Sequence, residues 1–306
     1  MPTVNNRVKK PQAMIINGID AGGVMTASIS AGYDNKLQSA PDGLQVALED
    51  KLIPYVRGQI VSQDWVEAVK LLTEAETSLV FYERRSGVAE DTGYIKHTIT
   101  NPVINTMSLS FNKGSYATVQ FSFECRAADG DAGIAEMWQV LDGQSAPVTY
   151  VTAARGGYQV ESCTHGALSI NHVTGFNFTL TMPLLREWND GAKGYTMVEC
   201  ELSGLTAAGS INFQDGDIHD ANNTLLCQQL LVADRGDLVL TVKQGRGATS
   251  KVITIAGVEF DAAGSSSDAA SDFTGYNASF DVTNDPVTHL TLKGPDNKII
   301  AITDAV

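Results

Sequence analysis

QLLVADRGDLVLTVK, residues Gln229 to Lys243, contains Arg235-Gly236-Asp237, a tripeptide with which some adhesion proteins grip receptors. A second stretch, KLLTEAETSLVFYER (Lys70 to Arg84), aligns beneath it without a gap. Leu71-Leu72 falls on Leu230-Leu231, and Leu79-Val80-Phe81 falls on Leu238-Val239-Leu240, 159 places further on. Such internal self-similarity takes precedence over any local motif. It places Arg235-Gly236-Asp237 at a helix-to-strand turn, where the first copy has Glu76-Thr77-Ser78. Glycine tolerates a positive φ at helix ends, and polar flanks are ordinary turn chemistry, so the adhesive reading is set aside.

Upstream, Trp65, Ala68, Val69 and Leu72 recur at helical spacing. Asp64 with Glu67 three places on reads as an N-cap and capping box. The second copy offers Asn223 as cap and a stripe of Leu226, Cys227, Leu230 and Leu231. Helices are therefore expected over about 64–73 and 223–233, each followed by a polar turn and a strand.

Downstream, GSYATVQFSFECR (Gly114 to Arg126) alternates Ala117, Val119, Phe121, Phe123 and Cys125 with Thr118, Gln120, Ser122, Glu124 and Arg126. Strict period-two alternation marks a long strand with one buried side. TGYNASFDVT (Thr274 to Thr283) repeats it with Tyr276, Ala278, Phe280 and Val282 inward, and Tyr116 matches Tyr276 at an offset of 160. LSINHVTGFNFTLTM (Leu168 to Met182) echoes the first of these, with no helix beside it, and reads as a further strand pair. The expected fold is mainly β, in two domains, 1–150 and 151–306.

The totals agree. Among 306 residues, 43% are apolar and 18% charged, and 28 are glycine, which suits a globular, turn-rich β protein. Net charge is −14, with −4 up to Arg155 and −10 beyond it. A surface so acidic binds DNA poorly, because phosphate contacts need Lys and Arg to displace counterions. Cys125, Cys163, Cys200 and Cys227 show no C-x-x-C spacing, and buried free thiols are expected. MPTVNNRVKKPQAM lacks the apolar core of a signal peptide, and no run has membrane-spanning length, so a soluble, non-secreted protein is expected.

Catalytic chemistry finds no footing. There is no G-x-S-x-G, and the serines of GSSSDAAS (Gly264 to Ser271) read as a flexible loop. His97, His165, His172, His219 and His289 form no metal-ligand pairing and are expected at surfaces or turns. Asp215, Asp217, His219 and Asp220 are spaced to hold a cation but lack the EF-hand glycine and distal Glu, and acids before the Asn223 cap favour a helix N-terminus anyway. AADGDAG (Ala127 to Gly133) reads as a turn. QGRGATSK (Gln244 to Lys251) lacks the P-loop order and precedes a strand, so a hairpin loop is expected. The sequons at Asn177, Asn222 and Asn277 matter only in a secretory pathway. No enzyme activity, cofactor or metal is expected.

INGIDAGGVMTASIS, the helix WVEAVKLL and MSLSFNKGSYATVQFSFECRAADG together resemble bacteriophage tail tube proteins and their baseplate relatives. The resemblance implies two tandem β-sandwich, tube-like domains, each with one short flanking helix, and trimeric rings that copy hexameric geometry and stack into a DNA-conducting channel. It implies a place in the virion tail after synthesis in the host bacterial cytoplasm. The partners implied are further copies of the chain and the tape measure, baseplate and terminator proteins, with viral DNA passing without specific binding and no membrane. Thr118, Gln120, Ser122 and Glu124 in one domain, and Asn277, Ser279 and Asp281 in the other, become candidates to face the lumen. The segments Pro41 to Ile60 and Ala262 to Phe273 become candidate loops toward the next ring. A baseplate hub or distal tail component, and a β-sandwich module binding a receptor or glycan, remain as alternatives.

Overall fold

The computed structural model describes residues 8–16, 19–20, 24–34, 37–39, 46–48, 53–62, 78–85, 93–115, 117–127, 133–145, 158–187, 193–200, 205–214, 224–244, 250–266, 275–282 and 300–304. The chain is mainly β, and its strands pair antiparallel. Period-two alternation accounts for the long strands, since residues two apart share a face. The helix expected over 64–73 lies outside the described residues.

The first half contributes β1 (Val8–Ile16), β2 (Ile19–Asp20), β3 (Val24–Asp34), β4 (Leu37–Ser39), β5 (Val46–Leu48), β6 (Ile53–Ser62), β7 (Ser78–Arg85), β8 (Tyr94–Thr100), β9 (Pro102–Asn112), β10 (Thr118–Cys125) and β11 (Trp138–Gln144). The second contributes β12 (Tyr158–His165), β13 (Leu168–Ser169), β14 (Val173–Thr181), β15 (Leu184–Glu187), β16 (Met197–Cys200), β17 (Thr206–Phe213), β18 (Gly236–Gln244), β19 (Lys251–Ser266), β20 (Gly275–Val282) and β21 (Ile300–Asp304). Short helices cover Ile134–Met137 and Leu226–Val232, the first of them not among the expected elements.

A five-stranded sheet runs β11-β8-β7-β1-β2. A twelve-stranded sheet runs β13-β12-β18-β19-β20-β17-β14-β9-β10-β6-β3, with β21 on β19. The halves are thus joined at β9 and β14, where Phe176 pairs with Phe111 and Leu180 with Met107. One buried cluster unites the layers and the halves: Leu79, Phe81 and Ile99 of the small sheet share it with Phe121, Phe178 and Phe280 of the large one.

The pairing scheme of the first half recurs in the second. Register runs Ile16–Leu79–Ile99–Trp138 across β1, β7, β8 and β11, and His165–Leu238–Ile255–Ile300 across β12, β18, β19 and β21. Leu79 and Leu238 therefore correspond at the offset read from sequence. β3-β6-β10-β9 is matched by β14-β17-β20-β19, and a hairpin intervenes at the same place in each, β4-β5 and β15-β16. Both copies carry a bulge at one position, skipping Asn105 opposite β10 and Asp261 opposite β20. Asn101 (φ 50) and Gly257 (φ 72) occupy equivalent left-handed positions. In the first half that bend divides β8 from β9 and separates two sheets, whereas β19 runs on through it.

Several sequence expectations change. Phe123 pairs with Gly58 and Phe280 with Gly209, so Val119, not Tyr116, is the counterpart of Tyr276. Tyr116 itself lies outside the described residues. The offset of 160 fails because an odd slip exchanges the faces of a strand. Leu168 to Met182 finds its place as the partner of Ile19 onward: β13 and β14 stand where β2 and β3 do. Pro41 to Ile60 is no loop, since it includes β5 and most of β6, and Gly264 to Ser266 extend β19. QGRGATSK does join a hairpin, β18 to β19, its loop being outside the described residues.

The second helix starts later than expected. Its N-cap is Leu225, and Gln228 Oε1 accepts a hydrogen bond from the Leu225 backbone N–H at 3.1 Å. The expected cap, Asn223, lies outside the described residues. Arg235-Gly236-Asp237 does bridge helix and strand, but Gly236 does not hold a positive φ, and it opens β18. No helix among the described residues is long and apolar enough to cross a membrane.

Candidate functional site: one polar sheet face across both halves

Residues opposite each other in a sheet point to the same face. From β10 outward, Thr118 lies beside Ser110, then Asn177, Ser210 and Ser279. A second row passes through eight strands: Thr26, Val61, Gln120, Ser108, Thr179, Ala208, Asp281 and Glu259. A third holds Ser28, Gln59, Ser122, Thr106, Thr181 and Thr206. Asn277 stands beside Asn212. The candidate residues of the two halves therefore share one face of one sheet.

The reverse face is dry. Val119, Leu109 and Phe178 follow one another across it, with Phe280 beyond Gly209, and all four are buried. On the polar face the side chains hydrogen-bond across strands. Ser108 Oγ and Thr179 Oγ1 are 2.9 Å apart, the Ser110 hydroxyl donates to Asn177 Oδ1 at 2.7 Å, and Asn277 Nδ2 donates to Asn212 Oδ1 at 2.7 Å. Ser279 Oγ donates to Asp261 Oδ1 at 2.9 Å. Asn177 and Asn277 of the sequons thus lie within strands of this face, both exposed.

Glu124 departs from the expectation. It lies on the same strand side but its side chain is only 3% exposed, closed over by two arginines. Arg57 Nε donates to Oε2 at 2.8 Å, while Arg186 Nε and Nη2 donate to Oε1 and Oε2 at 2.7 and 2.9 Å. Arg186 comes from β15, so the clamp ties the second half to the first. Its hydrogen bonds to Glu124 raise the Arg186 pKa further above its usual value. Arg57 also reaches Asp34 at 3.3 Å and lies over the Tyr55 ring, 4.1 Å from its centre. The Tyr195 hydroxyl donates to Asp34. Burial first, and then that hydrogen bond, push the Tyr195 phenol up to about 12. The three rows contain no Lys or Arg among their described residues, and Arg57, in the next row beside Glu124, is paired.

The histidines divide. His172 is exposed at a turn with φ 51, whereas His97 and His165 are buried, contrary to expectation. His97 stacks on Phe81 with ring centres 4.3 Å apart, accepts from Trp138 Nε1 at 3.3 Å and lies 3.3 Å from Glu83. His165 Nε2 meets the Val258 carbonyl oxygen at 3.1 Å and its ring stands edge-on to Phe260. Both occupy inward positions of alternating strands, a signal present in YIKHTIT and YQVESCTH. His219 and His289, Asp215, Asp217, Asp220 and most of AADGDAG lie outside the described residues. No metal-binding group occurs among the described residues.

Cys125, Cys163 and Cys227 are free thiols. Burial raises the Cys125 thiol strongly and pushes Cys163 up to about 12. Ser108, Ser110 and Thr179, and Asn177 beyond its sequon, join the expected residues on this face, and PVINTMSLSFN and VTGFNFTLT alternate as clearly as β10. No protein-family model matches the chain, and no curated protein matches it.

Proposed function

We propose that the chain is a structural subunit of a bacteriophage tail tube, made of two tandem β-sandwich, tube-like domains, each with a short flanking helix. The observation that carries this reading is the largely polar face, interrupted by Val61 and Ala208, that spans eight strands of both halves from β3 to β19. A sheet that adds copies edge to edge curls into a barrel with one face inward. Here the apolar face is already covered by the chain's own second layer, which leaves the hydroxyl face for the lumen.

Three chains of eight strands each close a barrel roughly 45–50 Å across between backbones, at the usual strand spacing and tilt. A duplex passes through such an opening. Ser, Thr and Asn with a few carboxylates offer phosphates no counterion-displacing base, so DNA slides without adhering. The rings stack within a virion tail and contact tape measure, baseplate and terminator proteins. The chain has no catalytic task in this reading.

Size-exclusion chromatography with light scattering, followed by negative-stain microscopy, tests it. Threefold rings or tubes with an open axis are expected. A protein that stays monomeric at every concentration, or that binds DNA tightly at physiological salt, contradicts it.

A further inference from the structure

β3 is an edge strand of eleven residues whose outer side pairs with no described strand. Its sequence, VMTASISAGYD, has neither the Lys nor the Pro with which proteins blunt a free edge. Its counterpart β14 is not an edge, because β9 pairs along it from Asn112 to Thr106. The counterpart of β9 is the C-terminal part of β19, which pairs with β20 on one side and with no described strand on the other. One chain therefore contains the junction once, between its halves, and presents each side of it once more, unpaired among the described residues.

Burial follows the same logic. Phe178 and Leu180 of β14 are fully buried, while Ile29 is only half-buried and Ala31 exposed at the matching places in β3. Met107 is buried in β9, while Ala263 is half-buried and Gly264 and Ser265 are exposed in β19. Apart from Ile29, the two open edges carry small residues at these positions (Ala31, Ala263, Gly264 and Ser265), which lets backbones approach closely.

We infer that β3 of one chain pairs antiparallel with residues 262–266 of β19 in a second copy, in the register set by the β14–β9 junction. Gly32 then faces Ala262, Ala31 faces Ala263, Ser30 faces Gly264, Ile29 faces Ser265 and Ser28 faces Ser266. The contact is heterologous, so it propagates head to tail and forms a ring where the rotation closes. It also lays the neighbour's β4-β5 hairpin beside Asp281, the residue standing where Glu124 is covered by β15. The inference rests on the proposal that the chain self-assembles, and it adds which strands meet and in what register.

Ser30 and Gly264 are the pair to test. Their internal equivalents, Thr179 and Ser108, have side chains 2.9 Å apart, and a Cβ at Gly264 meets nothing within 4 Å. Chains carrying Ser30→Cys alone and Gly264→Cys alone are mixed, assembled and mildly oxidised. A disulfide-linked dimer is expected from the mixture, none from either variant alone, and none when Ser265→Cys replaces Gly264→Cys, because Ser265 points to the opposite face. Hydrogen exchange on the unaltered protein gives a second reading: amides of 26–32 and 262–266 slow by roughly tenfold or more on assembly. Rings that form without the cross-link, with those amides as open as in the free chain, overturn the register and strands while leaving self-assembly intact. A chain that never assembles overturns both.

Discussion

Glu124 is held by two guanidiniums that reach it from different halves; its removal takes from Arg186 the carboxylate it is paired with, while Arg57 keeps Asp34. Breaking a wholly buried pair costs about 3–5 kcal/mol, but Arg57 and Arg186 are 37% and 36% exposed, so water screens part of the loss. Arg186→Ala is expected to destabilise by about 2 kcal/mol in urea unfolding, with β15 and β16 exchanging amide hydrogen faster. Wild-type stability and unchanged exchange in the variant go against the clamp. Tyr195 supplies a pH signature. Its raised pKa means the folded chain keeps the phenolic proton longer than the unfolded one, whose tyrosines titrate near 10. The resulting stability is full below about pH 10 and is lost as pH rises through about 12. Tyr195→Phe is expected to flatten that fall in the unfolding midpoint, and an identical pH profile for both proteins counts against the Asp34 contact.

At the scale of elements, two glycines mark where the copies are most alike. A Cβ on Gly58 meets Phe123 Cζ at 2.4 Å and the Ser28 carbonyl oxygen at 2.9 Å; on Gly209 it meets Phe280 Cζ and the Asn177 carbonyl oxygen, both at 2.4 Å. A phenyl ring turns aside more cheaply than a paired backbone moves. Both Ala variants are therefore expected to lose about 1–3 kcal/mol, with Gly209→Ala the worse, measured by denaturant unfolding. Equal or reversed losses contradict the closer backbone contact at Gly209. Alternation made these strands legible, because faces with period two need no knowledge of partners. Alternation does not fix register along the chain: matching Tyr116 to Tyr276 favoured an identical residue over the face it must occupy. The helix of Leu226–Val232 was readable from its stripe, but its start was not, since Leu225 caps through the reach of Gln228.

For the whole molecule, the feature absent from any local pattern is the pairing of β9 with β14. Nothing in MSLSFN or TGFNFTLT names the partner of the strand, because strand pairing is a long-range choice. The duplicate at Leu79 and Leu238 was visible; that the two copies share a sheet was not. Burial of Glu124 depended on Arg186, more than sixty residues away, and was equally hidden. The proposed ring follows from repeating between chains the junction already made within one. Reconstruction of the assembled particle by cryo-electron microscopy tests this most directly. The expected density is a ring whose continuous sheet turns Ser108, Thr179 and Asp281 toward an open axis. A particle with those residues on its outer wall, or a solitary monomer, contradicts it.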